Sequence, residues 1–208
     1  MRPVSLVRRL ARAEIGATFN FYRDGRGSAL RRERLVEYLE RRLDSPFVLV
    51  GEAPGYRGAR VSGIPFTSER QLTGSGPAEA TATVVRRVLA ELGLEEDMLL
   101  WNLVPTHPHL PGSPDSNRPP RRGEIEAATP FLAEVCGGRF AIPVGRQAHA
   151  VLGGSYLRHP AHGGARVFER GLRIALADFR NARPVPMGRL DDEHLRQAGP
   201  APRAPVRA

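Results

Sequence analysis

Apolar residues are spaced along this chain in two different periods. Phe47 to Val50, Leu99 to Val104 and Phe140 to Val144 are short, nearly unbroken apolar runs with many branched side chains, the pattern of strands buried on both faces. Between them the spacing becomes helical: Val84, Val85, Val88, Leu89 and Leu92 lead to Gly93, and Ile125, Leu132 and Val135 mark another helix. Leu152 falls on a short helix before a last strand-like piece, Ser155 to Arg158. Strands alternating with helices predict a parallel sheet with helices on both faces.

The same pattern divides the chain into three parts. Residues 1–45 read as an arginine-rich helical lead-in packed on the core, with Leu35, Tyr38, Leu39 and Leu43 at helical spacing. Residues 46–180 form the α/β domain. Residues 181–208 are rich in Pro, Arg, Gly and Ala without apolar periodicity, so an extended or disordered tail is expected. The proline-rich connection from Pro105 to Pro120 is longer than a simple link requires, and such loops often carry function.

Two strand ends carry chemistry. The run Phe47 to Val50 stops at Gly51-Glu-Ala-Pro-Gly55, a turn that places Glu52 at the mouth of the sheet, where ligands of open α/β sheets bind. Far downstream, His159 is followed by Pro160 after its own strand-like piece. A carboxylate and a histidine at strand ends are a minimal set for breaking a bond whose leaving group becomes an anion: one steadies a cation or activates water, the other donates to the departing group.

With these residues the chain resembles the uracil-DNA glycosylase superfamily, and most closely the bacterial and archaeal class whose first motif reads GEAPG. Gly51-Glu-Ala-Pro-Gly55 looks like the first catalytic motif, Gly63-Ile-Pro-Phe66 like the base-stacking segment, Leu99-Leu-Trp-Asn102 like the strand whose asparagine reads the uracil edge, and His159-Pro160 like the second catalytic motif. Asn117-Arg-Pro-Pro120 with Glu124-Ile125 resembles the loop and helix that follow Asn102. The resemblance implies a three-layer α/β/α sandwich around a four-stranded parallel sheet. It also implies a monofunctional glycosylase of base excision repair that flips uracil out of DNA and leaves an abasic site.

The roles implied are specific. Glu52 positions water and stabilises positive charge on the sugar, and His159 donates to uracil O2. Phe66 stacks on the base, Asn102 reads its edge, and the backbone N–H groups of Ala53 and Gly55 hold O2 or water. In relatives with tyrosine where Gly55 stands, the ring blocks the methyl of thymine; here that block is missing. The stretch Ala161-His-Gly-Gly-Ala-Arg166 resembles a minor-groove loop, making His162 and Arg166 wedge candidates. Arg57, Arg60, Arg118, Arg121 and Arg146 are expected phosphate contacts.

One departure bears on cofactors. The usual members of this class carry an iron–sulfur cluster on four cysteines, whereas this chain has only Cys136. Thr106 and Thr129 stand about where two thiolates would be expected, so no cluster, and no other cofactor or metal, is expected.

Composition narrows the partner. The net charge of +9 comes entirely from arginine, since the chain contains no lysine, and guanidinium forks suit phosphate oxygens. No apolar run approaches a membrane span, and Met1 to Leu10 lacks an apolar signal core, so a cytoplasmic protein without membrane contact is expected. The expected partner is DNA containing uracil or another deaminated base, bound by a monomer. Three alternatives remain: altered base specificity toward a deaminated purine, a non-catalytic DNA-binding member, and a metal-dependent hydrolase. The last would use His107 and His109 with His159, His162 and either Asp115 or Glu52.

Overall fold

A computed structural model of the protein describes residues 1–161 and 163–181. In chain order the elements are α1 (Pro3–Arg12), β1 (Thr18–Phe19), α2 (Ser28–Glu40), β2 (Phe47–Gly51), α3 (Ala59–Ser62), α4 (Glu69–Thr73), α5 (Ala80–Glu91), β3 (Met98–Asn102), β4 (His107–Pro108), α6 (Arg122–Cys136), β5 (Phe140–Pro143), α7 (Arg146–Leu152) and α8 (Ala165–Asn181). The sheet is parallel, with order β3-β2-β5. All five residues of β3 are buried, as are Val48 to Gly51 of β2. Side chains of successive strand residues point to opposite faces, so both faces are covered, and this is why these runs lack a polar alternation.

The expected fourth strand is not formed. Leu157 makes a single parallel bridge to Val144, with Gly145 N–H donating to Leu157 O at 2.9 Å and Leu157 N–H to Pro143 O at 3.2 Å. Gly153 and Gly154 on one side and Pro160 on the other leave too few residues to extend the ladder. The sheet is therefore three-stranded, and the bridge still delivers His159 to the carboxyl end of β5.

The lead-in is two helices rather than one. Leu6, Val7 and Leu10 of α1 and Leu35, Tyr38 and Leu39 of α2 join the same core as the sheet, while Leu43, expected on the apolar stripe, is exposed beyond the end of α2. Between them β1 pairs antiparallel with β4. The Thr18 and Thr106 hydroxyls share a 2.6 Å hydrogen bond across this pairing. Phe168, Leu172 and Ala175 bury one face of α8 in the core. The expected tail, apart from Asn181 at its start, lies outside the described residues.

The register sets up the site. Gly51 is paired with Asn102, the last residues of β2 and β3. Glu52 and the Asn102 side chain therefore emerge at the same edge of the sheet.

Candidate active site

A cleft of about 390 Å³ opens at this edge, and Glu52, Ala53, Gly55, Phe66, Asn102 and His159 all line it. Four separate segments of the chain thus converge on one recess. Each of its side chains has an identifiable local cause.

Glu52 follows Gly51 directly, and its Oε1 accepts the backbone N–H of Gln147 at 3.1 Å. That N–H belongs to the first turn of α7, where donors have no partner within the helix. Gly145 accommodates the contact, since a Cβ there would lie 2.6 Å from Oε1. The carboxylate is thereby fixed through one oxygen, and among the described residues no hydrogen bond is made to the other.

Phe66 packs against the strand end. Its ring lies so close over Gly51 that a Cβ on that glycine would collide with it, and the same Cβ would lie 3.1 Å from Asn102 Oδ1. Gly51 is therefore required by close approach rather than by backbone conformation. Phe66 has φ of 49°, a left-handed conformation unusual for a bulky residue. Its neighbours impose it: Ser62 Oγ donates to Thr67 O at 2.6 Å, Arg86 donates to Thr67 Oγ1 at 2.7 Å, and the Tyr22 hydroxyl donates to Gly63 O at 2.9 Å. Such over-determined backbone strain clusters at ligand clamps.

Asn102 is buried, yet among the described residues its side-chain amide makes no hydrogen bond. Its oxygen and nitrogen are not among the fully enclosed side-chain atoms that lack a partner, so they open onto the cleft. The cleft is where that donor and acceptor are offered. His159 Nδ1 accepts the Ala161 N–H at 3.3 Å, so the neutral ring carries its proton on Nε2.

The cleft also contains residues that the sequence patterns did not single out. Glu79, at the N-terminus of α5, lies directly against Gly55 and Gly58: a Cβ on either glycine would collide with its carboxylate. Burial raises its pKa above the usual carboxylate range, and among the described residues the carboxylate has no hydrogen-bond or ion-pair partner. The Asn117 side chain accepts the Tyr56 N–H at 3.0 Å and so ties the loop before α6 to the first motif. Asn117 was legible as part of a motif; Glu79 had no sequence signal beyond an acid near a helix start.

The expected phosphate contacts are scattered. Arg118 differs most from expectation. Its guanidinium meets the Glu124 carboxylate through both Nη atoms at 2.8 and 2.5 Å, and donates to His109 O and Ala17 O at 2.9 Å each. These bonds make it a brace, and it also lines the cleft. Arg57 and Arg60 flank the first motif, Arg121 and Arg146 are exposed at the starts of α6 and α7, and Arg166 is exposed on α8. His162 lies outside the described residues.

Metal and cluster chemistry can be tested on the residues themselves. Among the described residues no group of three or more His, Cys, Asp or Glu is gathered as a metal site needs. His107 is buried with Nδ1 2.8 Å from Pro54 O and Nε2 3.3 Å from Pro114 O; burial lowers its pKa, so it serves as a neutral donor bracing the first motif. An iron–sulfur cluster does not fit. Cys136 is buried and its thiol is pushed up to about 12 by burial, Thr106 bonds to Thr18, and Thr129 Oγ1 donates to Ile125 O at 2.9 Å.

The fold and cleft define an α/β protein whose candidate site lies at the ends of its strands, with a carboxylate, an amide, an aromatic ring and a histidine lining one recess. Residues 40–189 match the family model of the uracil DNA glycosylase superfamily, and the chain belongs to that superfamily of DNA-binding glycosylases. Among solved structures it is similar to wild-type SMUG2 of Pedobacter heparinus, with a TM-score of 0.63 and 13% identity over 88% of this chain and 100% of that one. No curated protein sequence matches the chain. Among the described residues no helix is long and apolar enough to cross a membrane.

Proposed function

We propose that the protein is a monofunctional DNA glycosylase that hydrolyses the N-glycosidic bond of uracil in DNA. The observation that carries this reading is the convergence of Glu52, Phe66, Asn102 and His159 on one cleft. A base inside a duplex cannot reach such a recess, so it must be flipped out, at a cost of a few kcal/mol that stacking and edge contacts offset.

The residues divide the work as follows. Phe66 gives the flipped base a stacking face. The Asn102 amide has a donor for uracil O4 and an acceptor for N3–H; cytosine presents the opposite pattern and would leave both unpaired. As the bond between the sugar C1′ and the base N1 breaks, the electron pair leaves with the base. His159 Nε2–H donates to the anion that forms, and Glu52 stabilises the cationic sugar and orients the water that adds to C1′. The water's proton passes to solvent or to the released base, and no covalent enzyme intermediate is formed.

Glu79 favours a second reading at the level of base choice. A carboxyl group beside Gly55 offers a hydrogen-bonding wall where a purely apolar one would favour an unsubstituted pyrimidine, so a base with a polar substituent facing Gly55 fits the same machinery.

Single-turnover cleavage of DNA carrying uracil opposite G, opposite A and in single strands, with chelator present, tests the proposal. The expected result is abasic-site formation that survives chelator and collapses in Glu52→Ala. Binding without cleavage of uracil or any deaminated base would overturn it in favour of a binding-only role.

A further inference from the structure

The turn that follows the first motif has a second lined face. Gly55 and Ala59 face the base cleft, whereas Tyr56, Arg57 and Arg60 face a separate recess of about 470 Å³, whose opposite wall is built by Phe19, Arg26 and Arg31 from the lead-in. The two recesses therefore share one segment of backbone, and consecutive residues along it, about 3.8 Å apart at Cα, serve one and then the other.

Charge sets the second recess apart. Its lining has four guanidiniums and one carboxylate, that of Asp115, which lies 2.7 Å from Arg60 and is largely exposed. Elsewhere several partly buried arginines face one carboxylate each, as in Arg34 with Glu69, Arg42 with Glu96 and Arg118 with Glu124, while Arg32, Arg86 and Arg139 donate to the neutral oxygens of Tyr22, Thr67 and Val135. Here Arg26 and Arg57, at the exposed rim of the recess, have no hydrogen-bond or acidic partner among the described residues, so four guanidiniums face a single carboxylate. Burial lowers the Arg31 pKa, and the nearby charges of Arg60 and Arg34 push the same way against the opposing influence of Tyr22 and Glu69. Gathering like charge in a recess opposes folding unless an anion enters it.

Three of the four guanidiniums are also held in place. Arg57 lies over the Tyr56 ring at 5.2 Å from its centroid, and Arg60 over the Phe19 ring at 5.6 Å. Arg31 is fixed by donating from Nε to Phe21 O at 2.7 Å and from Nη2 to Asp24 O at 3.3 Å. With both rings already covered by guanidinium planes, the recess has no aromatic face to offer a second base. It offers N–H edges, which match the tetrahedral oxygens of phosphate.

We propose that this recess is a phosphate subsite, filled by a backbone phosphate of the DNA strand next to the nucleotide whose base occupies the Glu52 cleft. The assignment rests on the glycosylase reading for the identity of the strand, and on charge and geometry for the phosphate itself. Bound there, the phosphate would fix the register of the strand relative to Glu52 without reading sequence.

The test is binding of uracil-free single-stranded DNA by fluorescence anisotropy across a salt series, which needs no turnover. The wild type is compared with Arg26→Ala/Arg57→Ala and with Arg8→Ala/Arg12→Ala, which removes the same charge from exposed positions on α1. The subsite predicts that the first double variant binds on the order of tenfold more weakly, with a salt slope shallower by about 0.7, the value of one phosphate on a single strand. The control should change much less. Equal effects of the two doubles would reduce the recess to general surface charge and overturn the proposal. Thermal protection by inorganic phosphate or dTMP that Arg26→Ala/Arg57→Ala abolishes, with DNA affinity untouched, would assign the recess to a free phosphorylated ligand and likewise overturn it. A wild type that binds DNA but cleaves no base would sink the glycosylase reading, while the variant comparison would still decide the subsite.

Discussion

Glu124 and Glu79 are both largely withdrawn from water, and they show opposite electrostatics. Glu124 accepts from Arg118 through both oxygens, receives the Arg121 N–H at 2.8 Å and packs against Gly16. Burial alone would raise its pKa, but the hydrogen bonds and charges of Arg118 and Arg121 bring it below the usual carboxylate range. Glu79, against Gly55 and Gly58, has none of these partners, and burial raises it. One corner of the molecule spends its carboxylate on joining the lead-in to the loop before α6; the other leaves its carboxylate facing a cleft. Perturbed groups left without structural partners cluster at functional sites, and this contrast separates brace from site better than burial does. Glu52 stands between them, tied through one oxygen only.

That intermediate position gives the largest expected effect. Glu52→Ala should lower single-turnover base release on the order of 10³-fold, in the range of a lost general acid–base group, while binding of uracil-containing DNA persists. A tenfold change or less would place the chemistry elsewhere in the cleft and erase the distinction between Glu52 and a simple cap of α7.

The brace should fail in stability rather than chemistry. Glu124→Ala leaves the Arg118 guanidinium buried without its counter-charge, and breaking such a pair costs about 3–5 kcal/mol. Urea denaturation at neutral pH measures it. The loss should shrink in Arg118→Leu/Glu124→Leu, because removing both charges leaves none stranded. Equal destabilisation of the single and double variants would show that the corner depends on packing, not on the pair.

The two walls of the site were not equally legible in the sequence. Glu52, Asn102 and His159 sit where an apolar run ends, and a strand end announces itself through the change from branched apolar residues to Gly, Pro or a polar side chain. Asn102 and Gly51 could be placed together because parallel register aligns two such ends. Glu79 could not, since what makes it a wall of the cleft is the missing Cβ at Gly55 and Gly58, more than twenty positions earlier. The bracing of Arg118 by Glu124 was not legible either, because surface and buried arginines look alike in sequence until a carboxylate partner is seen. The piece from Ser155 to Arg158 read as a fourth strand, yet the flanking glycines and Pro160 limited it to one bridge at Leu157.

Acid titration should separate the two carboxylates by sign. Glu124, lowered in the folded protein, contributes stability that is present above its unfolded value of about 4.3 and is lost as pH falls through its folded value. Glu79, raised, binds its proton more tightly when folded, so its contribution is complete below about 4.3 and is lost as pH rises through the folded value. Stability measured from pH 3 to pH 7 should therefore lose its upward limb in the Glu124 variants and gain at the neutral end in Glu79→Gln. A Glu79→Gln curve parallel to wild type throughout would mean that Glu79 is solvated as an ordinary surface acid.

The smallest effect is the most discriminating. Glu79→Gln keeps the shape of the side chain and removes a charge that, at neutral pH, has no partner to offset its burial. Stability at pH 7 should hold or rise, by about 1 kcal/mol or less, the reverse of what any substitution at Glu124 does. Base release should respond differently, because the amide places a donor where the ionised acid offered only acceptors. The ratio of rates on uracil and on a base with a polar substituent should shift, while the effect of Glu52→Ala stays the same in either background. If Glu79→Gln instead destabilises the fold and leaves that ratio unchanged, Glu79 belongs with Glu124 as a brace, and the cleft has one functional carboxylate rather than two.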